Sequence, residues 1–302
     1  MQIHSDLNHL EVDESVVSIG KYDALHLGHQ HILKSMVSFA REQNLPSAVV
    51  TFDRHPNHVL KPLEVPVPVL GDSQRKELFE DLGIDILLQL EFNQELADLP
   101  AENFVKKYLI RALNAQKVFV GEHFRFGAGG AGDWRAIANQ GLSVQSVKHL
   151  SLDGEKISTT NIRVALNEGD VELAAKMLGR NHQTTGVVEK GRQLGRTLGF
   201  PTANLSRSSE GMLPADGVYA GYLHVGGERY VAAHSVGTND TVGEIPRLVE
   251  SHAVGRDDLD LYGTIASVEY VKKVRGWKKF DSIEELVEQV QKDIQKTITL
   301  IS

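Results

Sequence analysis

The chain contains no cysteine in 302 residues, which excludes disulfides, thiolate metal sites and a thiol nucleophile. The opening MQIHSDLNHLEVDESVV lacks a basic segment followed by an apolar one, so no secretory signal is read there. No apolar run approaches the roughly 20 residues that span a bilayer. A cytoplasmic protein without a membrane partner is therefore expected. Excess positive charge is missing too: the formal net charge is −8, which argues against nucleic acid as the main partner but leaves room for a locally positive site facing a small anion. Low-complexity segments and internal repeats are absent. What is present is ordinary globular composition, 41% hydrophobic and 24% charged, in a length that suits one large or two ordinary domains.

The first half alternates strand and helix signals. SVVSIG (15–20), SAVVTF (47–52), IDILLQLEF (84–92), KVFVG (117–121) and SVQSVKHLSL (143–152) read as strands. HQHILKSMVSFAREQ (29–43), SQRKELFEDLG (73–83) and AENFVKKYLIRAL (101–113) read as helices. That rhythm predicts an α/β domain with a parallel sheet covered by helices, whose ligand sits beyond the carboxyl ends of the strands. NIRVALNEGDVELAAKMLG (161–179) reads as one amphipathic helical stretch. From about 182 the pattern turns to short strands with glycine-rich turns, including Gly226-Gly227 as a hairpin signal, and predicts a small β-barrel. SIEELVEQVQKDIQKTITL (282–300) reads as a closing amphipathic helix. The expected domains are 1–181 and 182–302.

Five places carry chemistry. GKYDALHLGHQHIL (20–33) puts His26 and His29 between a strand ending in Gly20 and a helix. A helix N-terminus offers unpaired N–H groups and partial positive charge to a phosphate, and two imidazoles beside it can donate hydrogen bonds to phosphoryl oxygens. Gly28 suits a close backbone approach. In ISTTNIR (157–163), Ser158, Thr159 or Thr160 caps a helix with Arg163 one turn in. That is either a plain cap with a surface arginine or a second anion site. In GFPTANL (199–205), Thr202 and Asn204 share one face of an extended segment and offer oxygens to Mg²⁺, or form a turn of small polar residues. The loop EKGRQLGRTLG (189–199), with Gly191 and Gly195, either covers phosphates with its amides or is only a turn. Glu250, beside apolar neighbours in RLVESHAV, points outward or into a cleft if Val249 faces the core.

GKYDALHLGH, TFDRHP (51–56), VGEHFRFG (120–127), ISTTNIR, GRQLGRTLGFPTANL, LPADGVYAG, SVGTNDT, VESH and DLYG occur in one order along the chain. In that order they resemble the motifs of the bacterial bifunctional riboflavin kinase/FAD synthetase family, and the likeness covers nearly the whole chain. The resemblance implies a Rossmann-like nucleotidyltransferase of the HxGH type followed by a flavokinase barrel. It implies ATP, riboflavin, FMN and FAD as substrates and products, and Mg²⁺ as cofactor. His26 and His29 would then stabilise the adenylyl transfer, and Glu250 would be the base of the kinase. Gly20, Tyr22, Asp23, Gly28, His55, Ser158, Thr159, Thr160, Arg163, Gly191 and Gly195 would meet ATP and its phosphates. His123, Phe124, Arg125, Phe126 and Gly127 would meet the flavin, and Thr202 and Asn204 the metal. A weak homo-oligomer is left open. The chain departs from the family pattern at Tyr22, Ala24, His123, Gly130 and Asp240. Ala24 stands where a glycine is expected and would crowd a backbone of positive φ. Most departures fall in the first half, so a flavokinase with a degenerate first half and a non-catalytic flavin-binding regulator stand as rival readings.

Overall fold

The computed structural model describes residues 1–8, 10–191, 194–238 and 247–302, the side chains of Leu194 and Arg196 excepted. Arg192, Gln193 and the Asp240 position of SVGTNDT lie outside the described residues. Two compact units emerge: Met1–Pro68 with Arg75–Ile157, and Val69–Gln74 with Ser158–Ser302.

The first unit is built on a six-stranded sheet of β1 (Gln2–His4), β2 (Ser15–Ile19), β3 (Ser47–Phe52), β4 (Ile86–Leu90), β5 (Ala115–Gly121) and β6 (Ser143–Val147). Their order is β1-β4-β3-β2-β5-β6, and every pairing is parallel. β2 and β3 are buried along nearly their whole length, as strands covered on both faces must be. The order runs outward from β2 in one direction and from β5 in the other, so the topological switch lies between these two strands. A crevice for ligand is expected at their carboxyl ends.

Two elements depart from the sequence reading. Residues 101–113 begin as an α-helix, Ala101–Phe104, and continue through Val105–Ala112 with π-type winding; the Leu113 amide reaches back five residues to the Tyr108 carbonyl at 3.2 Å. The wider winding keeps Phe104, Val105, Tyr108 and Leu109 buried in the core under the sheet. The 143–152 run is broken after Val147, and Ser151–Leu152 (β7) pairs instead with Glu155–Lys156 (β8) as a hairpin. The edge strand β1 gives no alternating signal in three residues and is added by its parallel pairing with β4.

The second unit is a closed six-stranded antiparallel barrel. Its strands are β9 (His182–Glu189), β10 (Ala203–Leu205), β11 (Gly217–Val225), β12 (Glu228–Gly237), β13 (Leu248–Ala253) and β14 (Ile265–Gly276), ordered β10-β13-β12-β11-β14-β9 with β9 and β10 also paired. Gly226 and Gly227, at φ of 60° and 83°, turn the β11–β12 hairpin through the left-handed conformations a two-residue turn needs. The stretch 161–179 is two helices, Thr159–Glu168 and Val171–Leu178. Gly169 ends the first in the left-handed region at φ 75°, and the Asp170 side chain caps the second. Local capping thus overrides an apolar period that runs through both. The second of these helices packs on β9 and β14, which places the segment with the barrel. Ser282 caps the closing helix Ile283–Ile301, which packs against β11, β12 and β14. Residues 69–74 are sewn to the barrel by Gln74, whose amide donates to the Gln183 carbonyl and to Thr185 Oγ1 at 3.2 and 3.0 Å, and by Ser73, which hydrogen-bonds Glu210.

Candidate functional site

In the first unit the chain leaves β2 at Gly20 and re-enters regular structure at Leu27. Tyr22 and Leu25 make the turn with φ of 49° and 41°. Strain at two non-glycine residues in one short loop marks a shape fixed by its surroundings. Tyr22 is buried, and its hydroxyl lies 2.6 Å from Ser18 Oγ, which donates to the Phe119 carbonyl at 2.7 Å. Burial drives its phenol well above the ordinary range, with the Ser18 hydrogen bond opposing in part. A Cβ on Gly20 would stand 2.8 Å from the Tyr22 ring, so that ring requires a glycine beneath it. From the far side, Arg75 ties the loop to β3 by donating to the carbonyls of Lys21 and Phe52 at 3.3 and 2.9 Å. Ala24 is fully buried and is not among the positive-φ residues, so no left-handed strain falls on it; Tyr22 and Leu25 take those conformations.

His26 caps the helix Leu27–Gln43: its Nδ1 accepts the His29 amide at 3.2 Å. In the neutral ring the proton then sits on Nε2, as a donor. The His29 ring stacks on that of His26 with centroids 3.7 Å apart and planes 14° from parallel, and meets the Tyr22 ring edge-on at 5.2 Å. A Cβ on Gly28 would fall 3.1 Å from His26 Cε1, so this glycine makes room for the imidazole. Burial holds His29 well below the ordinary histidine range, and the nearby His26, Lys21 and His149 act in the same direction. His29 is therefore neutral at physiological pH. Its Nδ1 is buried and makes no hydrogen bond among the described residues.

His55 follows β3, and its Nδ1 accepts the Asn57 amide at 3.1 Å in a local turn. Of the residues after β5, His123 and Arg125 are exposed, Phe124 is half-buried and Phe126 is buried. The two phenylalanine rings stack at 5.5 Å, and Phe126 packs on Phe104. Arg125 pairs with Asp133 at 3.7 Å. Gly127, at φ 73°, has room for no Cβ, which would lie 2.7 Å from the Ala101 backbone. Gly130 holds φ 65°, a left-handed conformation that favours glycine.

In the second unit Ser158 is the cap of its helix, accepting the Asn161 amide at 3.2 Å. Thr159 and Thr160 open that helix and Arg163, partly buried, lies one turn in. In the barrel, Asn204 on β10 stands directly opposite Glu250 on β13. Val249 is buried, so Glu250 points away from the core as its alternation predicts. Thr202 Oγ1 donates to Glu250 Oε2 at 3.5 Å, and the Asn204 amide donates to Thr202 Oγ1 at 3.2 Å and to its carbonyl at 3.3 Å. Gly191 lies on this group: a Cβ there would stand 2.9 Å from the Asn204 carboxamide. At Gly195 a Cβ would meet the Phe200 carbonyl at 2.5 Å. A small cleft adjoins, lined by Gly191, Thr202, Asn204, Arg256, Asp257 and Tyr262 among others.

The FAD synthetase family model matches residues 9–161 and the riboflavin kinase model residues 178–301. A bifunctional riboflavin kinase/FMN adenylyltransferase of Bacillus subtilis is 35% identical over 97% of this chain and 94% of its own length. The chain belongs to the bifunctional riboflavin kinase/FMN adenylyltransferase family. The Escherichia coli K12 member is 32% identical over 92% of this chain and 90% of its own. A crystal structure described as a macrolide-efflux protein from Streptococcus pneumoniae superposes with a TM-score of 0.89 at 30% identity, covering 98% and 97% of the two chains. Among the described residues here, no helix is long and apolar enough to cross a membrane.

Several residues that shape these two candidate sites carry no signal in the sequence. Ser18, which holds Tyr22, reads as one more strand residue. Arg75 reads as part of a polar helix face. Arg256 and Asp257 line the cleft from a stretch outside the quoted motifs, beside Tyr262 of DLYG. Only contacts between distant segments expose them.

Proposed function

We propose that the barrel unit moves the γ-phosphoryl group of ATP to the 5′-hydroxyl of riboflavin, and that the sheet unit joins the resulting FMN to the AMP portion of a second ATP. The first transfer forms FMN and ADP, the second FAD and pyrophosphate. Both are displacements at phosphorus, governed by positioning and charge neutralisation. One observation carries the two-site reading. The stacked pair His26 and His29 falls within one compact unit, while Thr202, Asn204 and Glu250 are grouped across adjacent strands of the other.

In the kinase step the nucleophile is a neutral alcohol. Glu250 accepts its proton as the oxygen–phosphorus bond forms and the bond to ADP breaks. In the adenylyl transfer the FMN phosphate is already an anion and needs no base. His26, with its proton on Nε2, donates to the phosphate oxygens, and neutral His29 stacked behind it holds the ring in place. We further propose that the ISTTNIR residues Ser158, Thr159, Thr160 and Arg163 form an anion site for ATP phosphates at their helix N-terminus, with the functional division at 181–182. In the sheet unit, Gly20, Tyr22, Asp23 and His55 shape the nucleotide site, and His123, Phe124 and Arg125 the flavin side, with Phe126 and Gly127 as their support.

The donor set at Thr202, Asn204 and Glu250 is all oxygen, which fits Mg²⁺. When bound, that ion supplies neutralisation of phosphate charge. The residues of the chain would hold it through Thr202 Oγ1 and Asn204 Oδ1, the carboxamide oxygen left facing away from Thr202 by the amide's own hydrogen bonds. The test is a chromatographic assay with ATP and Mg²⁺, started from riboflavin and separately from FMN. His29→Ala is expected to abolish FAD formation and spare FMN formation, and Glu250→Ala to do the reverse. Equal loss of both activities in either folded variant contradicts the assignment of sites to units.

A further inference from the structure

Three donor side chains meet at the carboxyl edge of β5 and β6, and of these only His123 has a role assigned above, on the flavin side of the proposed site. Glu122 follows β5 directly, and its amide donates to the Val147 carbonyl at 3.1 Å. His123 is next in the chain, and His149 lies two residues beyond β6. Glu122 Oε1 is 3.4 Å from His123 Nε2 and 3.8 Å from His149 Nε2. The two rings face each other at 4.6 Å, and one ligand atom from each residue lies within 4.8 Å of the others. His149 Nε2 is buried yet makes no hydrogen bond among the described residues.

We propose that Glu122, His123 and His149 form a binding site for a divalent transition cation of the zinc class. The spacing from the carboxylate agrees with a tetrahedral ion: ligands at ~2.0–2.2 Å from one centre lie about 3.3–3.6 Å apart, close to the 3.4 and 3.8 Å between Glu122 Oε1 and the two imidazoles. Two imidazoles and one carboxylate favour zinc or its neighbours over magnesium, which selects oxygen and keeps its waters. With three protein ligands, the fourth position is left to water or to an anionic oxygen of a ligand, the arrangement of an open rather than a structural site. Glu122 and His149 are about one-third exposed and His123 two-thirds, so an ion can enter from solvent. The site is distinct from the oxygen donors of the barrel. It lies at the sheet edge where His149 is already close enough to influence His29.

The test uses the full chain without an affinity tag, freed of metal by chelation and titrated with Zn²⁺ and separately with Mg²⁺ by calorimetry. Co²⁺ serves as an absorption probe of coordination geometry. One Zn²⁺ per chain with micromolar affinity is expected, with tetrahedral Co²⁺ bands and no matching Mg²⁺ heat. His149→Ala and His123→Asn are each expected to weaken Zn²⁺ binding by at least ~10-fold, because each removes a ligand whose loss exceeds the cost of disturbing an outer-shell partner. Thermal melts by circular dichroism separate ligand loss from unfolding. Should a variant melt early, Glu122→Gln, which keeps shape and removes charge, replaces it. Absence of Zn²⁺ binding below millimolar concentration, or binding of unchanged affinity in all three variants, overturns the proposal.

Discussion

Two histidines inside the barrel make its stability depend on pH in a way that can be worked out from their surroundings. His182 and His234 are 1% and 0% exposed. His182 Nε2 donates to the Met212 carbonyl at 2.6 Å, leaving a buried Nδ1 that makes no hydrogen bond among the described residues. His234 Nδ1 meets Ser251 Oγ at 2.9 Å, and its Nε2 is likewise unbonded. Both rings lie against Tyr270, at 5.9 and 5.7 Å. A second proton on either ring would be a buried cation, with backbone hydrogen bonds at Met212 and Glu269 offsetting the burial only in part. Burial accordingly pushes His182 down to about 4 and His234 down to about 3, from an ordinary 6.5. The unfolded chain binds protons that the native barrel refuses. Stability is therefore complete above the unfolded value of 6.5, and falls as pH drops from there through the folded values. At pH 5 each ring costs about 2 kcal/mol, so the pair removes about 4 kcal/mol, a large part of a typical domain's 5–15 kcal/mol. The assay is urea unfolding at pH 7 and pH 5 of a Trp134→Phe protein, in which Trp277 remains as reporter of the barrel unit. The same melts in His182→Gln and His234→Asn backgrounds isolate each contribution. A barrel that loses less than about 1 kcal/mol over this interval, or variants that keep the full pH dependence, refutes the reasoning.

The remaining predictions concern the sites. Gly28→Ala puts a methyl against the His26 ring and should lower FAD formation by about 100-fold through misplacement of that imidazole, with FMN formation as the internal control. Glu250→Gln keeps the shape of the β10–β13 pairing but removes the base, and a fall of about 10²–10⁴ in FMN formation is expected; a smaller fall shows that the alcohol is deprotonated elsewhere. Ser158→Ala removes the cap on the Asn161 amide and should cost about 1 kcal/mol in a denaturant melt. Tyr22→Phe deletes a buried hydroxyl pair with Ser18 and should cost about 1–3 kcal/mol by leaving Ser18 less satisfied, read as a lower melting temperature.

Local pattern determined a great deal of this protein. Short apolar runs placed β2, β3 and β5 within a few residues, because a strand buried on both faces is mostly apolar. The paired glycines at 226–227 marked their hairpin because only residues tolerant of positive φ make that turn. His26, His29, Thr202, Asn204 and Glu250 were legible because their chemistry recurs in short ordered motifs. The tertiary structure decided what depends on distance in space. It placed strain on Tyr22 and Leu25 rather than at Ala24, split one apolar period into two helices at Gly169, and set Asn204 across from Glu250. It also brought His149 to Glu122 and His123, residues whose separation along the chain hides their neighbourhood. Backbone propensity and periodicity act over a few residues and can be read in order. Pairing register, capping against a remote partner and the burial of a single imidazole arise only when segments far apart in the chain compete for the same volume.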